Sequence, residues 1–140
     1  MCIYIFVFSS LVRDIACRPT ASEKAAHHFQ RGLPPWLPDG GIENAIERLT
    51  KAIKLVPNYG HGHAHRFRGD AYAAIKEYEK AISDYSKAIQ LAPVVPENRP
   101  MRISIYTGRG KAYKELGNDT KAEADFMKAR EIEANIKSKP

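Results

Sequence analysis

Cysteine is almost missing from this chain. Cys2 and Cys17 are the only two, and their spacing makes neither a metal-ligand pair nor a disulfide framework. Long apolar runs are missing too. The longest, CIYIFVFSSLV at 2–12, falls short of the roughly 18 residues that a membrane-crossing helix needs. The sequence holds no glycine-rich loop that could cradle phosphate, no nucleophile set beside a base and no metal cluster. These absences argue against catalysis, so the chain reads as a non-enzyme with no cofactor and no metal site. Acids are absent between Asn98 and Lys114, a stretch that carries Arg99, Arg102, Arg109, Lys111 and Lys114.

What is present is globular in composition, with 44% hydrophobic and 27% charged residues. The net charge of +6 permits an acidic protein, nucleic acid or an anionic surface as partner, without choosing among them. The chain also repeats itself. AIERLTKAIKLVP at 45–57 and AISDYSKAIQLAP at 81–93 agree at seven of thirteen places. In the second copy Ala64, Phe67, Ala71, Tyr72 and Ile75 recur at three- and four-residue steps, the mark of one helix face. Tyr78, Ala81, Ile82, Tyr85, Ala88, Ile89 and Leu91 form a second such face, which Pro93 ends. Two helices over 62–93, joined near Lys76 and Glu77, follow. Gly69 and Ala81 leave room for the two backbones to approach.

Gly69, Tyr72, Tyr78, Ala81, Tyr85, Ala88 and Pro93 stand at positions 8, 11, 17, 20, 24, 27 and 32 of a repeat unit. This spacing resembles the tetratricopeptide repeat, a 34-residue helix–turn–helix. Gly110, Tyr113, Gly117, Ala122, Phe126 and Ala129 match a third unit, in which Ala134 replaces the terminal proline and lets the last helix run to about 137. In the first unit Ala45, Leu49, Ala52 and Pro57 fit the second helix. The prolines of RGLPPWLPDGG (31–41) cut its front helix to about 22–32. Ala81 to Ala122 spans 41 residues, seven beyond the period, and the excess falls in a polar loop at 94–102. The expected fold is an all-α solenoid of about three units (25–58, 62–95 and 103–137) within a domain spanning 20–140. One helix pair cannot bury its apolar face alone, so each copy serves as the next one's core.

The resemblance implies a groove lined by front helices, where partners bind as peptides or helices. Carried onto this chain, the lining is His63, Arg66, Asp70, Ala73 and Ala74, then Ser104, Thr107, Lys111, Lys114 and Glu115. Arg99, Arg102 and Arg109 form a basic patch that suits an acidic segment. Some family members grip an acidic chaperone tail with a carboxylate clamp. Phe67, Ser104 and Gly108 stand where that clamp needs Asn and two cations, so no such binding is expected. The leading function is therefore a protein-interaction adaptor, with a basic surface for nucleic acid or another polyanion as the alternative.

Several features keep more than one reading. HGHAH at 61–65 tempts a metal site, but a loop and helix-start origin with His65 opening the helix accounts for it better. Trp36 either plugs the gap left by the short front helix or anchors a partner. Asn118-Asp119-Thr120 reads as a helix–helix turn. Residues 1–19 are a degenerate export signal, a helix that caps the front of the stack, or an unstructured leader. In the first case IAC at 15–17 would end a lipoprotein cleavage site with Cys17 lipidated, and only then is a membrane involved. Without a cap, the front end is a candidate for self-association. A cytoplasmic location is favoured over export, and the compartment stays open.

Overall fold

A computed structural model describes residues 19–32 and 41–137. Six α-helices occur among them: α1 (Ala21–Arg31), α2 (Gly41–Leu55), α3 (His63–Ala74), α4 (Tyr78–Leu91), α5 (Arg99–Glu115) and α6 (Asp119–Lys137). Short 3-10 turns at Tyr59–Gly62 and Pro96–Asn98 introduce α3 and α5. Successive helices pack pairwise, α1 on α2, α3 on α4 and α5 on α6, and the pairs stack through α2–α3 and α4–α5. The leader, Trp36, Cys2 and Cys17 lie outside the described residues.

Each helix begins and ends for a local reason. Thr20 caps α1 by accepting from the Glu23 amide at 3.2 Å, while the Glu23 carboxylate accepts from the Thr20 amide at 2.7 Å. The α3–α4 and α5–α6 turns are the same turn. Glu77 and Asn118 amides each reach back to a tyrosine carbonyl, Tyr72 and Tyr113, at 2.9 Å. The residue before each has positive φ, 64° at Lys76 and 72° at Gly117. Glycine adopts that conformation freely and lysine does not. The helix α5 starts at Arg99, ahead of the expected 103. Pro100 sits in its first turn, where a missing N–H costs nothing. Part of the expected loop is therefore helix.

The core is built from alanine. Ala25, Ala45, Ala52, Ala64, Ala71, Ala81, Ala88, Ala112 and Ala122 are buried, with Leu49 and Ile105 the largest fully buried side chains. Small residues allow the helices of a pair to approach closely, and one larger side chain fills each gap. A Cβ on Gly32 would come within 2.8 Å of Leu49 Cγ, on Gly69 within 3.0 Å of Tyr85 Cε1, and on Gly110 within 2.7 Å of Phe126 Cε1. Glycine at repeat position 8 is thus the socket for the side chain at position 24. Tyr85 and Ala88 then join Met101 and Ile105, which seals one pair to the next.

Candidate protein-binding groove

The front helices α3 and α5 border a pocket of about 560 Å³, lined by Asp70, Ala73, Ser104, Thr107, Lys111 and Glu115, with Tyr78 and Tyr85 from α4. Asp70 accepts a 2.7 Å hydrogen bond from the Tyr85 hydroxyl. Burial still raises its carboxyl above the usual range, against that bond and the pull of Arg66. Burial likewise pushes the Tyr85 hydroxyl up, and the Asp70 charge adds to it. The floor of the pocket is therefore polar and satisfied, while Lys111 and Glu115 are exposed at its rim.

Forward of this pocket lies an aromatic hollow of about 530 Å³, lined by Phe29, Tyr59, Gly60, His63 and Phe67. Phe29 packs against Tyr59 at 5.2 Å and Phe67 at 5.8 Å between ring centroids. His63 stacks on Phe67 at 6.2 Å. Arg66 connects the two cavities. Its guanidinium sits 4.0 Å above the Phe67 ring, donates to Ser104 Oγ at 2.8 Å and lies 3.8 Å from Asp70.

The structure thus places Asp70, Thr107 and Lys111 in one pocket, His63 in the other and Arg66 between them. Lys114 lines neither. The three arginines of the basic stretch separate. Arg99 and Arg102 lie beside a third cavity near α6. Arg109 is placed elsewhere, gripping Asp125 through two hydrogen bonds of 2.8 and 2.7 Å.

That grip belongs to a recurring arrangement. Arg68 holds Asp84 through bonds of 2.7 and 2.8 Å and reaches Thr50 Oγ1 at 3.0 Å. Arg109 holds Asp125 and reaches Ser86 Oγ at 2.9 Å. In each case an arginine at repeat position 7 pairs with an acid at position 23 of its own unit. It also donates to a hydroxyl at position 25 of the unit before, tying the two pairs together. The first unit lacks the acid: Arg48 stands there and donates to Asn44 at 2.7 Å. His65 adds a 3.0 Å contact from Nδ1 to Asp84. Burial resists the Asp84 charge, but the Arg68 and His65 hydrogen bonds prevail and hold its carboxyl below the ordinary range. An ionised carboxylate only accepts, so Nδ1 of His65 carries the proton. His65 is therefore a buried structural group inside α3, where a residue opening the helix was expected. Among the described residues, no group of three or more His, Cys, Asp or Glu could hold a metal ion.

Sequence reading overlooked the aromatic hollow and the arginine latches. Phe29 stands three residues before Gly32, hence at groove position 5, but the shortened front helix concealed the register. The latches had a signal: Arg-Gly at 68–69 and 109–110, Asp-Tyr at 84–85 and Asp-Phe at 125–126.

A stack of antiparallel helix pairs with an indented front face is a protein-interaction scaffold. The chain belongs to the tetratricopeptide repeat family, whose model matches residues 62–133. Anaphase-promoting complex subunit 3 of Schizosaccharomyces pombe is 28% identical over 91 residues, which cover 65% of this chain and 12% of that one. This chain therefore spans a small part of that relative. The crystal structure of MamA superposes with a TM-score of 0.70 at 28% identity, covering 84% of this chain and 63% of that one. The second TPR of Spaghetti (RPAP3), bound to the HSP90 peptide SRMEEVD, superposes with a TM-score of 0.66 at 26% identity, covering 79% and 94%.

Proposed function

We propose that this chain is an adaptor that binds a peptide or helix of a partner protein along the front faces of α1, α3 and α5. The observation that carries the reading is the junction of two unlike cavities at Arg66. A large apolar side chain of the partner suits the hollow lined by Phe29, Tyr59 and Phe67, where burial against aromatic faces contributes about 2 kcal/mol. The following residues then lie over Asp70, Thr107 and Lys111, where hydrogen bonds and paired charge set register and specificity.

The peptide held by the second TPR of Spaghetti supports the mode of binding. Its acidic ligand is not carried over, because Phe67, Ser104 and Gly108 occupy the positions where the family's clamp needs Asn and two cations. A polyanion-binding surface is the weaker reading. Arg68 and Arg109 are bound to buried acids, and Tyr106 is buried in the stack.

The test is a peptide-display selection on the full chain, followed by fluorescence titration of the enriched peptides. Thr107→Trp fills the pocket and Lys111→Glu reverses the rim charge. Both should weaken binding by about tenfold or more, roughly 1.4 kcal/mol, with melting unchanged. Peptides that bind both variants as tightly as the parent would refute the groove.

A further inference from the structure

The inserted residues between the second and third units build a cavity that stacking does not require. Val94, Val95 and Pro96 form one wall of a hollow of about 290 Å³, and Lys128, Glu131 and Ile132 of α6 form the other, with Arg99 and Arg102 at its base. It shares no lining residue with the pocket between α3 and α5. Val94 is 84% exposed, the most of any large apolar side chain among the described residues. An extended turn sets it there: Ala92 and Val95 are both in β conformation, as expected ahead of prolines.

The charges around this apolar wall are one-sided. Glu131 is the acid of the lining and already pairs with Lys128 at 2.8 Å. Arg102 is anchored by donating from Nη1 to the Ala92 carbonyl at 3.2 Å and lies 5.8 Å from the Tyr106 ring centre, which leaves the rest of its guanidinium to face a ligand. The Arg99 guanidinium makes no hydrogen bond or ion pair among the described residues, although the residue is partly buried and its backbone N–H donates to the Pro96 carbonyl. Two planar guanidinium groups next to exposed valine suit a carboxylate that sits one or two residues from an aliphatic side chain.

We propose that this loop–α6 cavity is a second docking site, separate from the front groove, for an acidic segment of a partner protein. Its carboxylate would pair with Arg99 and Arg102 while a neighbouring aliphatic side chain covers Val94 and Ile132. A seven-residue insertion that leaves the stack undisturbed gives the chain a recognition element of its own, and this site stands whether or not the front groove binds.

The test uses the full chain as bait in a display selection of random 12-residue peptides, with Val94→Asp, Arg99→Glu and Lys111→Glu as variants. Val94 is exposed and the Arg99 side chain has no partner to lose, so both variants should melt with the parent. If Val94→Asp unfolds, Arg99→Glu combined with Lys128→Glu replaces it. The expected result is a peptide class rich in Asp or Glu beside Leu, Ile or Val. Its affinity should fall at least tenfold with Val94→Asp and Arg99→Glu and stay level with Lys111→Glu. Three results would overturn the proposal. One is a selection that yields no class lost on Val94→Asp or Arg99→Glu. Another is loss of oligo-dT binding on Arg99→Glu with peptides unaffected, which makes the surface a polyanion site. The last is a concentration-dependent dimer abolished by Val94→Asp, which makes it a contact between copies.

Discussion

Replacing Asp84 by alanine removes the centre of the first arginine latch. The carboxylate is 7% exposed and takes hydrogen bonds from Arg68 Nε, Arg68 Nη2 and His65 Nδ1. Without it, a guanidinium that is 17% exposed stays in the α3–α4 contact with no counter-charge, and the His65 N–H loses its acceptor. Stranding one member of a fully buried pair costs about 3–5 kcal/mol. Water still reaches part of Arg68, so the expected loss is about 2–3 kcal/mol. In a chain of this size that lowers the melting temperature by about 10 °C. Urea denaturation followed by far-UV circular dichroism measures it directly. Arg68→Met together with Asp84→Leu should recover most of the loss, because the penalty comes from the stranded charge and not from the missing bond. A loss below about 0.5 kcal/mol for Asp84→Ala would refute the latch. So would a double variant no better than the single one.

Other consequences follow from the same geometry. Gly110→Ala should destabilise by about 1–2 kcal/mol, since the new methyl would lie 2.7 Å from Phe126 and 3.2 Å from the Ala122 carbonyl. Gly69→Ala meets its nearest atom at 3.0 Å, so the helix-propensity gain of about 1 kcal/mol offsets most of the strain, and the two melts should differ accordingly. Lys76→Gly should stabilise by about 1 kcal/mol, because the equivalent Gly117 adopts the same positive φ without steric cost; a lower melting temperature would refute the strain. On acidification, the lowered Asp84 carboxyl contributes stability that is full above its unfolded value of about 4 and is lost as pH falls through the folded value. Asp70 has the opposite sign: its raised carboxyl takes up a proton first and offsets part of that loss. Asp84→Asn should therefore flatten the acid limb of a stability-against-pH curve, and Asp70→Asn should steepen it.

The helices themselves could be read from the chain because their signals are local. Alanines and tyrosines three and four residues apart mark a face, Pro57 and Pro93 end helices, and Gly69 with Ala81 marks a close crossing. The spacing of these marks was enough to define a stacked all-α fold. Asp70, Thr107 and Lys111 fell in the pocket for the same reason, since a residue's register in the repeat sets the direction it faces. What tertiary structure alone decided depends on the distance between units. The aromatic hollow needs Phe29, Tyr59 and Phe67 from three different segments to converge. In the sequence Arg109 reads as one of a basic patch with Arg99 and Arg102. Asp125 follows it by 16 residues and Ser86 precedes it by 23, so only stacking brings both to its guanidinium. Helix periodicity is set by neighbours along the chain, whereas the partners of a buried charge are set by packing between helices.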